Sequence, residues 1–286
     1  MTRFSLTYLG LFLLLLSVLS FFNIIYSYYF NLYLNIDAYI YTLITSLFLE
    51  SAFLIKKKIY GKSSIYIKIL TVIIGYLILP LIISIPYYLS IYNISFLNCF
   101  FEAVSGFTST GFTIFENIKH IDESLILWRS SSQWIGGIYF LFSIILLIDI
   151  FDDNLKKSLT NFISFNSTEI FKQSLKILLL YSALTLFLFI VLRLINIRAF
   201  DSFNLSMTII SSGGFLPFNN IDLIINSDLK KIVFSILMLF SFFSLFLTYN
   251  FIFIRKKNIN FFEEDIYLFI YLAILIIVFF VFFNFD

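Results

Sequence analysis

Two short clusters of Ser, Thr and Gly are the residues in this chain with the clearest capacity for chemistry. The first is Thr108-Ser109-Thr110-Gly111, and the second is Ile210-Ser211-Ser212-Gly213. Hydroxyl groups and backbone carbonyls in an extended loop can replace the water shell of a cation. Glycine gives such a loop access to backbone conformations that other residues avoid. We therefore predict that these residues bind a dehydrated monovalent cation.

Each cluster follows an apolar segment that is too short to cross a bilayer. As helices, Ser95–Phe107 and Ala199–Ile209 would reach about half-way through the hydrocarbon core. The partly negative C-terminal end of such a half-helix favours a cation. Irregular backbone at membrane depth is tolerated only where it is buried in protein or lines water. The pattern predicts two re-entrant pore loops rather than two external turns.

The two clusters recur at a fixed spacing in the chain. An offset of 102 residues pairs Gly111 with Gly213, and it maps the apolar segment 127–151 onto 229–253. Internal repeats of this kind are how many transport proteins are built. The sequence therefore predicts a repeated unit of span, half-helix, Ser/Thr-Gly loop and span.

The composition identifies the environment of these repeats. Of the 286 residues, 60% are hydrophobic and only 13% are charged, whereas soluble domains are about 45–50% apolar. The mean hydropathy is +0.99. A water-soluble core cannot hold so large an apolar fraction, so a lipid bilayer is the predicted solvent for much of the surface. The net charge of +2 gives no reason to expect nucleic-acid binding.

Seven segments are apolar and long enough to be predicted as membrane spans. They are residues 5–29, 36–55, 66–90, 127–151, 174–196, 231–254 and 265–283. Positive residues cluster in alternate loops, which places those loops and the N-terminus in the cytoplasm. The clusters are Lys56, Lys57, Lys58, Lys62 and Lys68; Lys156, Lys157 and Lys172; and Arg255, Lys256 and Lys257. We predict a multi-pass protein of the cell inner membrane.

The predicted fold is an all-α integral membrane protein made of four consecutive parts. Residues 1–64 form two leading transmembrane helices, and residues 65–152 form the first helix–pore loop–helix repeat. Residues 153–257 form the second repeat, and residues 258–286 form the first helix of an incomplete third repeat. The repeats are expected to be pseudo-symmetric, as in many transport proteins.

Several single residues have more than one interpretation. Glu102 could act electrostatically on the pore or simply lie on a polar face of the half-helix. Arg129 could snorkel to the interface or brace the half-helix through Glu102 or a loop carbonyl, whereas Arg193 is predicted to snorkel. Trp128 and Trp134 are predicted to anchor the membrane interface and to pack.

Catalytic groups are scarce, so the chain is not predicted to be an enzyme. The single cysteine, Cys99, excludes an intramolecular disulfide and is predicted to be a small buried filler. The single histidine, His120, is predicted to lie in a solvated loop. The acidic clusters are Asp152-Asp153 and Glu263-Glu264-Asp265. A polytopic membrane transferase could use them for a metal, but their Lys-rich surroundings favour charge balance at the interface. No organic cofactor is expected.

A family resemblance adds to this interpretation. Residues 100–113, with the sequence Phe-Phe-Glu-Ala-Val-Ser-Gly-Phe-Thr-Ser-Thr-Gly-Phe-Thr, resemble the first filter segment of the Trk/Ktr/HKT superfamily of potassium transporters, TrkH type. The segments Leu127-Trp128-Arg129 and Gln133-Trp134-Ile135-Gly136-Gly137 are similar to the helix that follows it. Residues 210–215, Ile-Ser-Ser-Gly-Gly-Phe, resemble the second filter. The resemblance covers only the N-terminal half of the family pattern.

This resemblance implies four repeats around one pore, with K⁺ as the transported ion. It assigns filter roles to Thr108, Ser109, Thr110 and Gly111 in the first repeat and to Ile210, Ser211, Ser212 and Gly213 in the second. Glycine at the key filter position goes with potassium preference in this family. The family pattern further implies a homodimer and a cytosolic nucleotide-binding regulatory subunit of the TrkA/KtrA kind.

The chain departs from the family pattern in length. It stops at residue 286, inside the predicted third repeat, so the third and fourth filters are absent from it. Two filter segments alone would leave polar backbone facing lipid. The expected partner is therefore a missing second half of the pore or a second copy of the chain. We favour a truncated or split half, with a non-conducting membrane subunit as the alternative.

Overall fold

The computed structural model describes residues 4–54, 65–147 and 167–239, together with separate positions between 266 and 278. Among these residues the regular structure is helical and no strand is present, which confirms the predicted all-α fold class. The helices are α1 (Phe4–Tyr29), α2 (Ile36–Leu54), α3 (Ile65–Tyr88), α4 (Phe96–Phe107), α5 (Glu123–Leu147), α6 (Ser167–Leu194) and α7 (Ala199–Ile210). Residues 228–239 form a further helical segment. The chain divides into two compact units, residues 1–242 and 243–286, and all of these helices lie in the first.

The long helices agree with a membrane protein. Within the described residues, three stretches are long and apolar enough to cross a membrane: Leu9–Tyr29 in α1, Lys68–Tyr88 in α3 and Leu175–Leu194 in α6. Helices α2 and α5 have 19 and 25 residues but also carry charged side chains. The sixth and seventh predicted spans lie largely outside the described residues, so the number of spans stays a prediction.

The leading pair, α1 and α2, is held to the rest of the unit by polar contacts. The hydroxyl of Ser20 donates to the carbonyl of Tyr39 at 2.6 Å, which joins α1 to α2. The fully buried hydroxyl of Tyr39 lies 3.0 Å from the hydroxyl of Ser124 at the start of α5. A buried hydroxyl without such a partner is destabilising, so these bonds fix the pair against α5.

Helices α4 and α7 are the two half-helices that the sequence predicts. Each has 12 residues, which corresponds to about 18 Å at 1.5 Å per residue. Ser95 precedes α4 as an extended N-cap residue, and α7 ends at Ile210, so each predicted boundary moves by one residue. Before each half-helix an asparagine, Asn93 or Asn196, turns the chain in the left-handed conformation with φ of 49° and 60°.

Helix α5 lies between the two half-helices. It packs against α4 on one side and against α7 on the other, while α3 covers α4 and α6 covers α7. The element order α3–α4–α5 is therefore followed by the same order in α6, α7 and residues 228–239. This arrangement lets side chains of α5 reach both loops.

A polar cluster joins three elements where α5 begins. Glu123, the first residue of α5, accepts hydrogen bonds from Tyr26 at 3.0 Å and from Arg198 at 2.5 Å. The hydrogen bond to the Glu123 carboxylate raises the pKa of the Arg198 guanidinium, which therefore stays charged. Since Tyr26 lies in the last turn of α1 and Arg198 precedes α7, the cluster fixes the leading pair and the second half-helix to α5.

Most of the charged residues used for the predicted orientation lie outside the described part of the chain. These are Lys56, Lys57, Lys58, Lys62, Lys156, Lys157, Arg255, Lys256 and Lys257, and the acidic residues Asp152, Asp153, Glu263, Glu264 and Asp265 lie there too. The cytoplasmic N-terminus and the division into four domains therefore stay predictions.

Candidate functional site

The two half-helices end in the same backbone turn. After α4, the N–H of Ser109 donates to the carbonyl of Gly106 at 3.0 Å, and the N–H of Thr110 donates to that of Ser105 at 2.9 Å. This pair of bonds, with Ser109 in the left-handed conformation at φ 55°, is a Schellman motif. It satisfies carbonyls that a helix end otherwise leaves without partners.

The turn after α7 repeats these contacts. The N–H of Ser212 donates to the carbonyl of Ile209 at 2.9 Å, and the N–H of Gly213 donates to that of Thr208 at 2.8 Å. Ser212 has φ 53°, as Ser109 does in the first loop. A serine in this conformation is uncommon, because side chains with a Cβ are disfavoured there. Its occurrence at both helix ends links the two loops structurally.

A side-chain hydrogen bond closes each loop in the same way. The hydroxyl of Ser105 donates to the carbonyl of Phe112 at 2.6 Å, and the hydroxyl of Thr208 donates to that of Phe215 at 3.0 Å. Both bonds join the last turn of a half-helix to the residue that follows the loop. They hold the intervening residues in one defined conformation.

These contacts correct the register of the predicted repeat. Every equivalence above corresponds to an offset of 103 residues, so the predicted offset of 102 is wrong by one. Gly111 is therefore equivalent to Gly214 and not to Gly213. Ile210 is equivalent to Phe107, the last residue of α4, and is itself the last residue of α7 with its side chain buried. Ile210, which was predicted to be a filter residue, therefore belongs to helix α7. Gly214, which was not among the predicted site residues, occupies the position equivalent to Gly111.

The equivalent glycines of the two loops are in backbone contact. A Cβ atom added to Gly111 would lie 2.5 Å from the Cα of Gly214, and one added to Gly214 would lie 3.0 Å from the Cα of Gly111. Gly111 also has φ 81°, a conformation that favours glycine. Both glycines are therefore required by the close approach of the loops, which the structure brings together at one place.

Three of the predicted hydroxyl groups stabilise the turns. In the first loop, the hydroxyl of Thr108 donates to the carbonyl of Val104 at 2.8 Å and lies 2.7 Å from the hydroxyl of Thr110. In the second, the buried hydroxyl of Ser211 lies 3.0 Å from the carbonyls of Met207 and Thr208. Such local bonds hold a helix end in place.

A buried ion pair lies behind the first loop. The carboxylate of Glu102 in α4 and the guanidinium of Arg129 in α5 are 2.9 Å apart, with 0% and 1% of their side-chain surfaces exposed. The same carboxylate accepts hydrogen bonds from the hydroxyl of Thr113 at 3.0 Å and from the N–H of Ile114 at 2.9 Å. Of the two interpretations of Arg129, bracing through Glu102 is therefore correct and snorkelling is wrong. Glu102 does not face solvent.

Arg129 also contacts the second loop. Its guanidinium carbon lies 4.3 Å from the centre of the Phe215 ring, close enough for a cation–π interaction. One of its terminal nitrogens donates to the hydroxyl of Thr113 at 2.9 Å, and the other lies 3.5 Å from the carbonyl of Leu216. A single side chain of α5 thus joins the segments that follow both loops.

Gly136 allows α5 to lie directly against the end of the first half-helix. A Cβ atom at Gly136 would lie 1.9 Å from the carbonyl oxygen of Phe107, a distance that real structures do not allow. The C-terminal end of α4, where the helix dipole is partly negative, is therefore fixed against α5. This contact places the dipole next to the first loop.

The remaining predicted residues have structural roles. The indole of Trp128 donates to the carbonyl of Ile83 at 3.0 Å, and that of Trp134 donates to the hydroxyl of Thr185 at 2.9 Å. Both tryptophans are buried, so they pack inside the protein and do not anchor an interface. Arg193 donates to the carbonyl of Ile197 in the turn before α7, and its predicted snorkelling stays a prediction.

A reactive cysteine or a metal site finds little support in the described residues. Cys99 is buried and free, in agreement with its predicted role as a filler. Within the part of the chain that the structure describes, no group of three or more His, Cys, Asp or Glu side chains could hold a metal ion. Among the described residues, the two loops are therefore the best-supported candidate for a functional site.

Comparison with known proteins identifies transporters. No protein-family model matches the chain. An uncharacterised cation transporter of Methanocaldococcus jannaschii is 27% identical over 219 residues, which cover 73% of this chain and 44% of the relative. The Trk system potassium uptake protein TrkI of Halomonas elongata is 42% identical over 60 residues, which cover 21% of this chain and 11% of the relative.

Among solved structures, the potassium transporter TrkH from Vibrio parahaemolyticus matches with a TM-score of 0.71 at 20% identity. The match covers 96% of this chain and 57% of the TrkH chain. The chain thus spans about half the length of the relatives that it matches over most of its own residues, 44% of one and 57% of the other. It has the fold of the TrkH membrane subunit, which confirms the predicted resemblance. The transporter relatives and the apolar helices identify a membrane protein.

Proposed function

We propose that this chain, which has the TrkH fold, forms one side of a pore through which K⁺ crosses the cell membrane. The observation that carries the proposal is the contact between the equivalent glycines Gly111 and Gly214. Two half-helices with the same terminal turn bring their loops together at this point, and their partly negative ends favour a cation there. The relatives TrkI and TrkH are described as potassium proteins, which supports K⁺ as the ion.

The proposed ion ligands are backbone and hydroxyl oxygens of both loops. In the first loop they belong to Thr108, Ser109, Thr110 and Gly111. Among the hydrogen bonds between described residues, none ends on the backbone carbonyls of this loop, so these oxygens can replace water around K⁺. In the second loop, the corrected register moves the proposed ligands from residues 210–213 to Ser211, Ser212, Gly213 and Gly214.

Two loops enclose only part of a pore, so a partner segment is proposed. The face of α5 that carries Arg129 and Gln133 packs against the second loop and the residue that follows it. The equivalent positions in the helical segment 228–239 are Ile232 and Ile236, which are 61% and 58% exposed. An apolar face of this kind fits a further pore loop from the missing half or from a second copy.

The wider assembly follows from the same family pattern. We propose the four domains with boundaries at residues 64, 152 and 257, a cytoplasmic N-terminus and an inner-membrane location. We further propose a homodimer regulated by a cytosolic nucleotide-binding subunit. These parts rest on the resemblance and on the charge distribution of the loops.

The test is uptake of K⁺ by a potassium-uptake-deficient strain that expresses this chain, alone and with the second half of a TrkH-type protein. Growth at low K⁺ in either condition is the expected result, and Gly111→Val should abolish it because the loops can no longer meet. If the protein is inserted in the membrane and neither condition restores growth, the pore function is wrong. That outcome would favour a non-conducting membrane subunit.

A further inference from the structure

Gln133 is a fully buried side chain of α5 that makes its hydrogen bonds to α7 and to the loop that follows α7. It lies on α5 one turn after Arg129, with 0% of its surface exposed. With its carboxamide oriented to satisfy both ends, the oxygen accepts from the N–H groups of Gly214 at 2.9 Å and Phe215 at 3.1 Å. The nitrogen donates to the hydroxyl of Thr208 at 3.1 Å. The whole carboxamide is therefore committed to α7 and the loop after it.

The carboxamide of Gln133 lies so close to the second loop that it restricts which residue can occupy position 213. A Cβ atom at Gly213 would lie 2.4–2.6 Å from the carboxamide atoms of Gln133. Gly213 does not have the positive φ of Gly111, so conformational freedom does not explain the glycine. It is required because Gln133 approaches the backbone of the loop at this position.

No equivalent brace is found in the next helix. The position equivalent to Gln133 in the segment 228–239 is Ile236, and the position equivalent to Arg129 is Ile232. Both are apolar and more than half exposed. Within the described residues, the polar brace therefore occurs once, between α5 and the second loop.

We propose that Gln133 is a positioning residue that sets the preference of the second loop for K⁺ over Na⁺. This proposal rests on the proposed function of the loops as ion ligands. A filter distinguishes the two ions by the position, number and rigidity of its carbonyl dipoles. Gln133 accepts hydrogen bonds from the N–H groups of Gly214 and Phe215. Each N–H group shares a planar peptide unit with the carbonyl of the preceding residue, so these bonds also fix the carbonyls of Gly213 and Gly214. Without the hydrogen bonds of Gln133, the second loop can contract around Na⁺, which is smaller than K⁺.

The experiment compares thermal unfolding in KCl and in NaCl at equal ionic strength. It uses the purified full-length chain, both alone and together with the second half of a TrkH-type protein. An ion at concentration c that binds the folded state stabilises it by RT ln(1 + c/Kd), so at equal concentrations the ion with the lower Kd gives the higher unfolding temperature. The variants are Gln133→Leu, which removes the polar contacts, and Gln133→Asn, which shortens the side chain and withdraws its oxygen. Trp134→Phe is the matched control, since it removes one buried hydrogen bond from the next position of α5, to Thr185 in α6 and not to the second loop.

We expect K⁺ to raise the unfolding temperature of the wild-type chain and of Trp134→Phe more than Na⁺ does. The K⁺ concentration that gives half of this effect should be the same for the two proteins. Both Gln133 variants should need about tenfold more K⁺, a change of about 1.4 kcal/mol in binding, and should lose the difference between the salts. If Gln133→Leu does not fold, Gln133→Asn decides. Unchanged K⁺ preference in the Gln133 variants would overturn the role of Gln133 and leave the proposed function intact. If the wild-type chain shows no K⁺ preference either alone or with the second half, the proposed ion site fails, and the role of Gln133 fails with it.

Discussion

The carboxylate of Glu102 and the guanidinium of Arg129 lie 2.9 Å apart between α4 and α5, and both side chains are almost completely buried. The pair is hydrogen-bonded further through Thr113 and Ile114, so both oxygens of the carboxylate have partners. Such bonds offset the large penalty for removing charges from water. Because the two charges cancel, a cation bound at the proposed site would interact with carbonyl dipoles rather than with a net charge.

Removing one member of this pair should be strongly destabilising. Glu102→Gln leaves the guanidinium of Arg129 as a buried charge without its counter-charge. We expect the unfolding free energy to fall by about 3–5 kcal/mol, the usual result of breaking a buried pair. The measurement is unfolding of the purified chain by SDS titration, followed by tryptophan fluorescence.

The exposed ion pair of the same protein is the control. Arg198 pairs with Glu123 at 2.5 Å, but its side chain is 60% exposed. Arg198→Gln should therefore cost only about 0–1 kcal/mol. Replacing both buried partners, as in Glu102→Gln with Arg129→Met, should cost less than Glu102→Gln alone, because no uncompensated charge remains. Equal losses for Glu102→Gln and Arg198→Gln would contradict the structural role of the buried pair.

Much of the fold could be predicted from hydrophobic patterns. The half-helices were predicted to within one residue, because each is an apolar segment bounded by polar residues and a Ser/Thr-Gly cluster. For Arg129, the sequence left two interpretations open: snorkelling to the interface, or bracing the half-helix through Glu102 or a loop carbonyl. Sequence spacing alone could not choose between them, since Glu102 and Arg129 are 27 residues apart and meet only when α5 packs on α4.

The register of the second loop could not be read from residue identity. Two adjacent glycines, Gly213 and Gly214, both offer a match for Gly111, and pairing serines at an offset of 102 favours the wrong one. What distinguishes them is the backbone: Ser212, not Ser211, has the left-handed φ of Ser109. A serine there gives no signal, because glycine or asparagine is the usual residue in that conformation.

A second prediction concerns the contact between α5 and the end of α4. Alanine usually stabilises the interior of a helix relative to glycine by about 0.5–1 kcal/mol. Gly136→Ala should instead destabilise the chain by more than about 3 kcal/mol, since its methyl group would overlap the Phe107 carbonyl and overpacking alone costs about 1–3 kcal/mol. The unfolding free energy from SDS titration measures this.

Gly106 provides a matched comparison for that substitution. A Cβ atom there would meet mainly a side-chain oxygen, the hydroxyl of Ser132 at 2.3 Å. Gly106→Ala should therefore be partly rescued by Ser132→Ala, whereas Ser132→Ala should not rescue Gly136→Ala, whose obstacle is backbone. A neutral effect of Gly136→Ala would mean that α5 does not lie against the half-helix as described.

The last prediction tests the register of the two loops through the strain of single residues. Ser109 and Ser212 have φ of 55° and 53°, a conformation that costs residues with a Cβ about 1–2 kcal/mol. Glycine relieves this strain but gives up about 0.5–1 kcal/mol of conformational entropy. Ser109→Gly should therefore be neutral or stabilising by up to about 1 kcal/mol.

Ser211→Gly should behave differently, although Ser211 is the residue that an offset of 102 pairs with Ser109. Ser211 has φ −86°, and its hydroxyl lies 3.0 Å from the carbonyls of Met207 and Thr208. Glycine there loses this hydrogen bonding and gains no relief of strain, so we expect a loss of about 1–2 kcal/mol in the same unfolding assay. If Ser211→Gly is tolerated as well as Ser109→Gly, the offset of 103 is wrong. In that case Gly214 is no longer the counterpart of Gly111, because the meeting of equivalent glycines depends on this register.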